Sequence, residues 1–293
     1  MIEMLVGEWP TPGIAYVVSV IGSYLGLSFM VRARSRTGAT RWQWLGLASL
    51  SIGGMAVWSM HFIAMMGFSA PGTAIRYDLV LTVLSGLLAV AVMAIALSLT
   101  IVKKGTTWLL LGGVIAGIGV VTMHYTGMAS MNMRGEMHHD PLWVSAAIVI
   151  ALVAATTALW FASRLQGQVA ILSASLIMAV AVSSMHYAGM AGVHIDPPEG
   201  TNQSALEGYT AIDLMLPVIV GLFVFLLICS LFLLLGVEED RPARSHVPAH
   251  RASEQQLPRT SEQPYLPRHG RDDRGRPPRA SGTFDDPPRR HNH

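Results

Sequence analysis

Thr122-Met123-His124-Tyr125-Thr126-Gly127-Met128 is the middle copy of a pattern that occurs three times in the chain. Ser59-Met60-His61-Phe62-Ile63-Ala64-Met65 comes before it, and Ser184-Met185-His186-Tyr187-Ala188-Gly189-Met190 follows. Each copy reads hydroxyl, Met, His, aromatic, any residue, small residue, Met, and each closes a long apolar run. Successive copies are separated by about sixty residues, the length of two membrane-crossing helices with their loops. The repeating unit is therefore a helix pair. Successive units share one orientation, which sets three equivalent helix ends at one depth.

Outward from these motifs, 52% of the 293 residues are hydrophobic and 13% are charged. A soluble domain carries roughly twice that charged fraction. Apolar runs of membrane-crossing length lie near 11–31, 42–66, 79–102, 107–130, 142–163, 168–190 and 212–236. The expected fold is an all-α membrane protein of seven transmembrane helices, three two-helix repeats plus a closing helix. Glu3 and Glu8 precede the first span in place of a basic region, so that span reads as an uncleaved helix and not a signal peptide. The single cysteine, Cys229, lies in the last span and excludes an intrachain disulfide. Lys103 and Lys104 are the only lysines and share a loop, which excludes a retinal Schiff base in the seventh span.

Loops after spans one, three and five carry Arg32, Arg34, Arg36, Arg41, Lys103, Lys104 and Arg164, against Arg76 and Arg134 on the other side. This asymmetry predicts an outside N-terminus, an inside C-terminus and His motifs near the outer surface. Residues 1–8 form the expected extracytoplasmic N-terminus and 9–237 the membrane domain. From residue 238 to 293 the chain is rich in Arg and Pro, with no apolar periodicity. Such a segment does not bury enough surface to offset its ordering entropy and is expected to be a disordered cytoplasmic tail. Its length leaves no room for an ordinary catalytic domain.

Within the helices, Gly113 and Gly117 form a GxxxG pair expected to bring two helices close. On a helix the residue four positions on lies about 40° round, so His61 shares a face with Met65, His124 with Met128 and His186 with Met190. Met60, Met123 and Met185 are turned about 100° from their histidines; they either reach a neighbouring helix or pack. Imidazole with thioether suits copper, the thioether favouring Cu(I). Zinc more usually has Cys or carboxylate beside the His, and calcium and magnesium take oxygen. A lone His near a membrane surface is ordinarily hydrogen-bonded interface, and a lone Met is ordinarily core filling. Three pairs in register are better explained by a shared site.

These residues resemble the MHYT domain, a bacterial seven-helix membrane module named for its Met-His-Tyr-Thr motif. Met123-His124-Tyr125-Thr126 matches that name letter for letter, and the likeness covers about residues 9–236. The resemblance implies copper near the outer face of the membrane and sensing of oxygen, carbon monoxide or nitric oxide. By position it implicates Met60, His61, Met65, Met123, His124, Tyr125, Met128, Met185, His186, Tyr187 and Met190. Phe62 stands where the other copies have tyrosine, so the first copy offers no phenolic ligand. Many relatives join the module to domains that make or degrade cyclic di-GMP.

The function expected from sequence is a sensor in the bacterial inner membrane, not an enzyme. It would bind copper, answer to a diatomic gas or a redox change, and signal to a separate cytoplasmic or membrane partner. Two rival readings are a copper or small-solute transporter and a haem protein with paired histidine ligands. No hydrolase constellation, phosphate-binding loop or nucleic-acid surface is present in the sequence.

Overall fold

The computed structural model describes residues 10–69, 74–103, 105–196 and 207–239, with side chains as far as Phe232. The expected N-terminal stretch and almost all of the expected tail lie outside the described residues. Glu238 and Glu239, assigned above to the tail, instead end the last helix.

Seven helices are long and apolar enough to cross a membrane. They are α1 (Pro10–Ser35), α2 (Gly38–Met66), α3 (Leu79–Val102), α4 (Thr106–Ala129), α5 (Pro141–Arg164), α6 (Gln168–Ala191) and α7 (Ala211–Glu239). In hydrocarbon each backbone N–H and C=O must find its partner within its own segment, so apolar runs of this length become helices. Two of the starts carry a side-chain cap. Asp78 accepts a hydrogen bond from the Leu81 amide at 2.9 Å, and Asp140 from the Leu142 amide at 2.7 Å, with Pro141 opening the first turn. Asp78→Ala or Asp140→Ala is expected to cost about 1 kcal/mol, read as a lower melting temperature of the detergent-solubilised protein.

Helices α1 to α6 form a closed ring in chain order, α6 packing back on α1. The motif helices α2, α4 and α6 alternate with α1, α3 and α5. The GxxxG pair is used as expected: a β-carbon on Gly117 would lie 2.9 Å from the Leu152 Cα, and one on Gly113 3.0 Å from the Thr156 Cα, both on α5. Span three does more than face lipid, since Thr82, Ser85, Ala89, Met93, Ala96 and Leu97 are buried. Trp58 of α2 ties the two helices by donating to the Thr82 carbonyl at 3.2 Å and to Ser85 Oγ at 3.1 Å. Helix α7 lies against the first repeat through Cys229 and Phe232, the latter edge-on to Trp44.

Two features depart from plain α-helix. Leu50–Ser59 of α2 is a π-helix, so Ser59 Oγ donates to the Gly54 carbonyl, five residues back. The equivalent hydroxyls of Thr122 and Ser184 donate four back, to Ile118 and Val180. Glycines allow this segment to press on both neighbours: a β-carbon on Gly53 would lie 2.6 Å from the Ala89 carbonyl oxygen, and one on Gly22 2.6 Å from the Ala56 amide. The second departure is a set of short strands at the motif end. Strand β1 (Arg76–Tyr77) pairs antiparallel with β2 (Met131–Asn132), and β3 (Glu136–His139) with β4 (Val193–Asp196). Tyr77 also exchanges backbone hydrogen bonds with Tyr209 at 2.8 and 3.0 Å. The linkers leaving the three motifs satisfy their backbones on one another, which pins the three repeats together above the helix ends.

Candidate metal centre

The three motif helices end beside one another, and His61, His124 and His186 point to a single spot. His61 Nδ1 lies 3.0 Å from His186 Nδ1 and 3.2 Å from His124 Nδ1. One donor nitrogen from each of the three falls within 4.8 Å of the others. All three side chains are buried, at 1%, 0% and 1% exposure. Their rings stand edge to face in every pair, with centroids 5.0 to 5.2 Å apart.

This arrangement leaves polar atoms unsatisfied. Nε2 of His61 and Nε2 of His124 are buried with no hydrogen-bond partner among the described residues. A neutral imidazole carries one N–H. Placed on Nε2, that hydrogen meets no acceptor in His61 or His124 among the described residues; placed on Nδ1, it can point at a neighbouring Nδ1 but leaves the Nε2 lone pair without a donor. Either state leaves buried polar groups under-satisfied, at a cost on the order of 1–3 kcal/mol each. Three inward Nδ1 atoms facing one point offer a cation a common site, with the ring hydrogens then carried on Nε2. Three nitrogens bound at about 2.0 Å in a tetrahedral arrangement stand roughly 3.3 Å apart, so the contacts of 3.0 and 3.2 Å need only slight opening. The residues present fit a small metal ion.

The methionines divide into two sets. Met65, Met128 and Met190 lie in one cluster with Phe62, Tyr77, Met131 and Leu214. Each stands one turn beyond its histidine, so a thioether-rich layer covers the motif side of the imidazoles, and Met133 and Met137 pack against it. Met60, Met123 and Met185 are equally buried but separate into three other clusters, between different helix pairs. They pack. The aromatic after each histidine lies edge-on to it: Phe62, Tyr125 and Tyr187 at 5.0, 4.9 and 5.0 Å between centroids. The buried hydroxyls of Tyr125 and Tyr187 have no partner among the described residues.

The cap adds a residue that motif spacing did not single out as a site member. His139 of β3 stacks edge-on against Tyr125 at 5.3 Å, and its Nε2 is buried without a partner among the described residues. Burial first, and the neighbouring His138 second, hold its imidazole below the usual histidine range, so it is neutral at neutral pH. His138 itself is exposed, 3.3 Å from Asp196 and 3.6 Å from Glu136. Burial pushes the Tyr77 phenol up to about 12, keeping it protonated in the cap. Exposed and half-buried residues alternate along Glu136–His139, as along an edge strand.

Residues 54–113 and 117–175 match the family model described as MHYT, "Bacterial signalling protein N terminal repeat". The third motif lies beyond those matches. Over 197 residues, 64% of this chain and 28% of the relative, the chain is 39% identical to the bifunctional diguanylate cyclase/cyclic di-GMP phosphodiesterase MucR of Pseudomonas aeruginosa. It is 36% identical over 196 residues, 64% of this chain and 24% of the relative, to the cyclic di-GMP phosphodiesterase NbdA of the same organism. An uncharacterized signaling protein of Caulobacter vibrioides is 31% identical over 186 residues, 63% of this chain and 22% of the relative. The chain thus spans roughly a quarter of the length of these relatives. No solved structure matches it.

Proposed function

This chain belongs to the MHYT family of bacterial signalling repeats, and from that premise we propose that it is a copper-binding sensor module of the inner membrane. The observation that carries the reading is the convergence of three buried Nδ1 atoms, with 3.0 and 3.2 Å contacts, one from each repeat. His61, His124 and His186 hold the ion in this proposal. Met65, Met128 and Met190 supply thioether donors on the motif side, a combination that favours Cu(I). Tyr125 and Tyr187 lie edge-on to the imidazoles, their buried hydroxyls without a partner among the described residues. Bound copper would supply a coordination position for a diatomic gas and a one-electron redox change.

Signalling requires that the ligand or redox change favour one helix arrangement over another. Because the three ligands come from three repeats, a change in bond length at the ion acts on three helices at once. The positive-inside asymmetry supports a site near the outer face, from which the signal would pass inward to a signalling partner. The names of the two Pseudomonas relatives suggest cyclic di-GMP turnover as the output. The same spacing disfavours haem, whose axial nitrogens stand on opposite faces of the macrocycle and not in mutual contact.

Metal analysis of protein purified in detergent and loaded with copper tests the proposal. About one copper per chain is expected, with nitrogen couplings in the electron paramagnetic resonance spectrum of the oxidised form. A wild-type protein that stays copper-free after loading overturns it.

A further inference from the structure

The sixth position of the motif is small in all three copies: Ala64, Gly127 and Gly189. Glycine inside a helix costs roughly 0.5–1 kcal/mol against alanine, so two of them at this position call for a reason. A β-carbon on Gly127 would strike Nε2 of His61 and lie 3.0 Å from its Cδ2. One on Gly189 would strike Nε2 of His124 and lie 3.1 Å from its Cδ2 and 3.3 Å from its Cε1. The bare backbone of the second and third motifs is thus the floor under the imidazole of the motif before each. Helix-packing glycines of this protein behave otherwise: Gly113 and Gly117 face Thr156 and Leu152, with no ligand candidate among them.

Of the three motif imidazoles, the two seated in this way are those whose Nε2 is buried without a partner among the described residues, His61 at 1% and His124 at 0% exposure. An imidazole can offer a metal either nitrogen, and the hydrogen bond made by the other usually decides which. Here no hydrogen bond to Nε2 is present among the described residues. Contact with the glycine backbone leaves Nε2 no room for an ion and aims Nδ1 at the centre. A methyl group at either glycine would lift the ring off its floor and carry Nδ1 away from the other two.

We propose that Gly127 and Gly189 are positioning residues that seat His61 and His124 so that Nδ1, and not Nε2, is the metal-binding atom. The inference rests on the copper reading above and goes beyond it, since copper bound through Nε2 would satisfy that reading alone. The steric step is the decisive one: the seat accepts the edge of an imidazole only where a side chain is missing.

The test uses the full chain in detergent, with Cu(I) as the probe. In wild-type protein carrying ¹³C,¹⁵N-histidine, the bound imidazoles are expected to show the chemical shifts of Nδ1 coordination. Gly127→Ala and Gly189→Ala are each expected to lower Cu(I) affinity by at least about ten-fold in competition with a chromophoric chelator. Gly46→Ala, at a helical glycine with open space around it, should leave affinity unchanged. Circular dichroism checks that the helices persist; if an alanine variant fails to fold, the wild-type spectrum decides by itself. Nε2 coordination in wild type, or undiminished affinity in both motif variants, overturns the seat while leaving the copper reading intact. A wild type that binds no Cu(I) removes both.

Discussion

The His61/His124/His186→Ala variant is expected to take up no copper under conditions that fill the wild-type protein, and any single alanine to lose at least about 100-fold in affinity. The estimate is conservative, because removing partners that merely orient a metal ligand already costs 10–100-fold. Each repeat contributes one imidazole, so no neighbouring side chain can substitute for a missing one without moving a helix. The effect should also appear as a loss of ligand-induced stability. Copper at one hundred times its dissociation constant would stabilise the wild-type fold by about 2.7 kcal/mol, and the variants should show no such rise in melting temperature. Without copper, a single alanine variant should lose less stability than the imidazole volume suggests. At His61 or His124 a buried nitrogen with no partner among the described residues leaves with the ring. A triple variant that binds copper as the wild type does would rule out these histidines as the ligands.

Gly53→Ala should be among the most damaging single methyl groups in the first repeat. Its β-carbon would lie 2.6 Å from the Ala89 carbonyl oxygen and 3.0 Å from the Val90 Cα. Both are backbone atoms of α3, so relief requires moving a helix and not a side-chain tip. Overpacking of this kind costs about 1–3 kcal/mol, and a backbone obstacle puts the change at the upper end. Gly54→Ala is the internal control. Its β-carbon would meet Leu50 Cδ1 at 3.4 Å and Val90 Cγ2 at 3.5 Å, ordinary contacts with flexible groups, and helix propensity favours the change. Thermal melting of both variants in the same detergent decides the matter. Equal melting temperatures, or a lower one for Gly54→Ala, would mean that α2 and α3 are not packed this closely.

Adjacent glycines with opposite expected effects show where reading the sequence stops. Gly53 and Gly54 are equivalent as text; only the direction of each Cα–H bond, set by the π-helical turn, separates them. The motif divides in a similar way. Helical geometry alone grouped each histidine with the methionine four residues on and left the earlier methionine either to reach a neighbouring helix or to pack; the structure collects Met65, Met128 and Met190 and distributes Met60, Met123 and Met185 among three other clusters. That much was legible because residues four apart on one helix share a face whatever surrounds them. The role of the small sixth position was not legible, because its neighbour is a histidine about sixty residues earlier in the chain. The cap strands were hidden for a related reason. A two- or four-residue strand has too little pattern of its own and exists through its partner.

The spans, their number and the repeat were set by sequence alone, because a backbone in hydrocarbon must satisfy itself locally and an apolar run of sufficient length has one way to do so. Residue types at the motif set the chemistry available: imidazole and thioether, without thiolate or carboxylate. Tertiary structure decided that three histidines from three repeats meet within about 3 Å, which nitrogen of His61 and of His124 faces the centre, and which glycines stand behind them. Those are relations between helix ends far apart in the chain, created when six helices close into a ring, and no local periodicity encodes them.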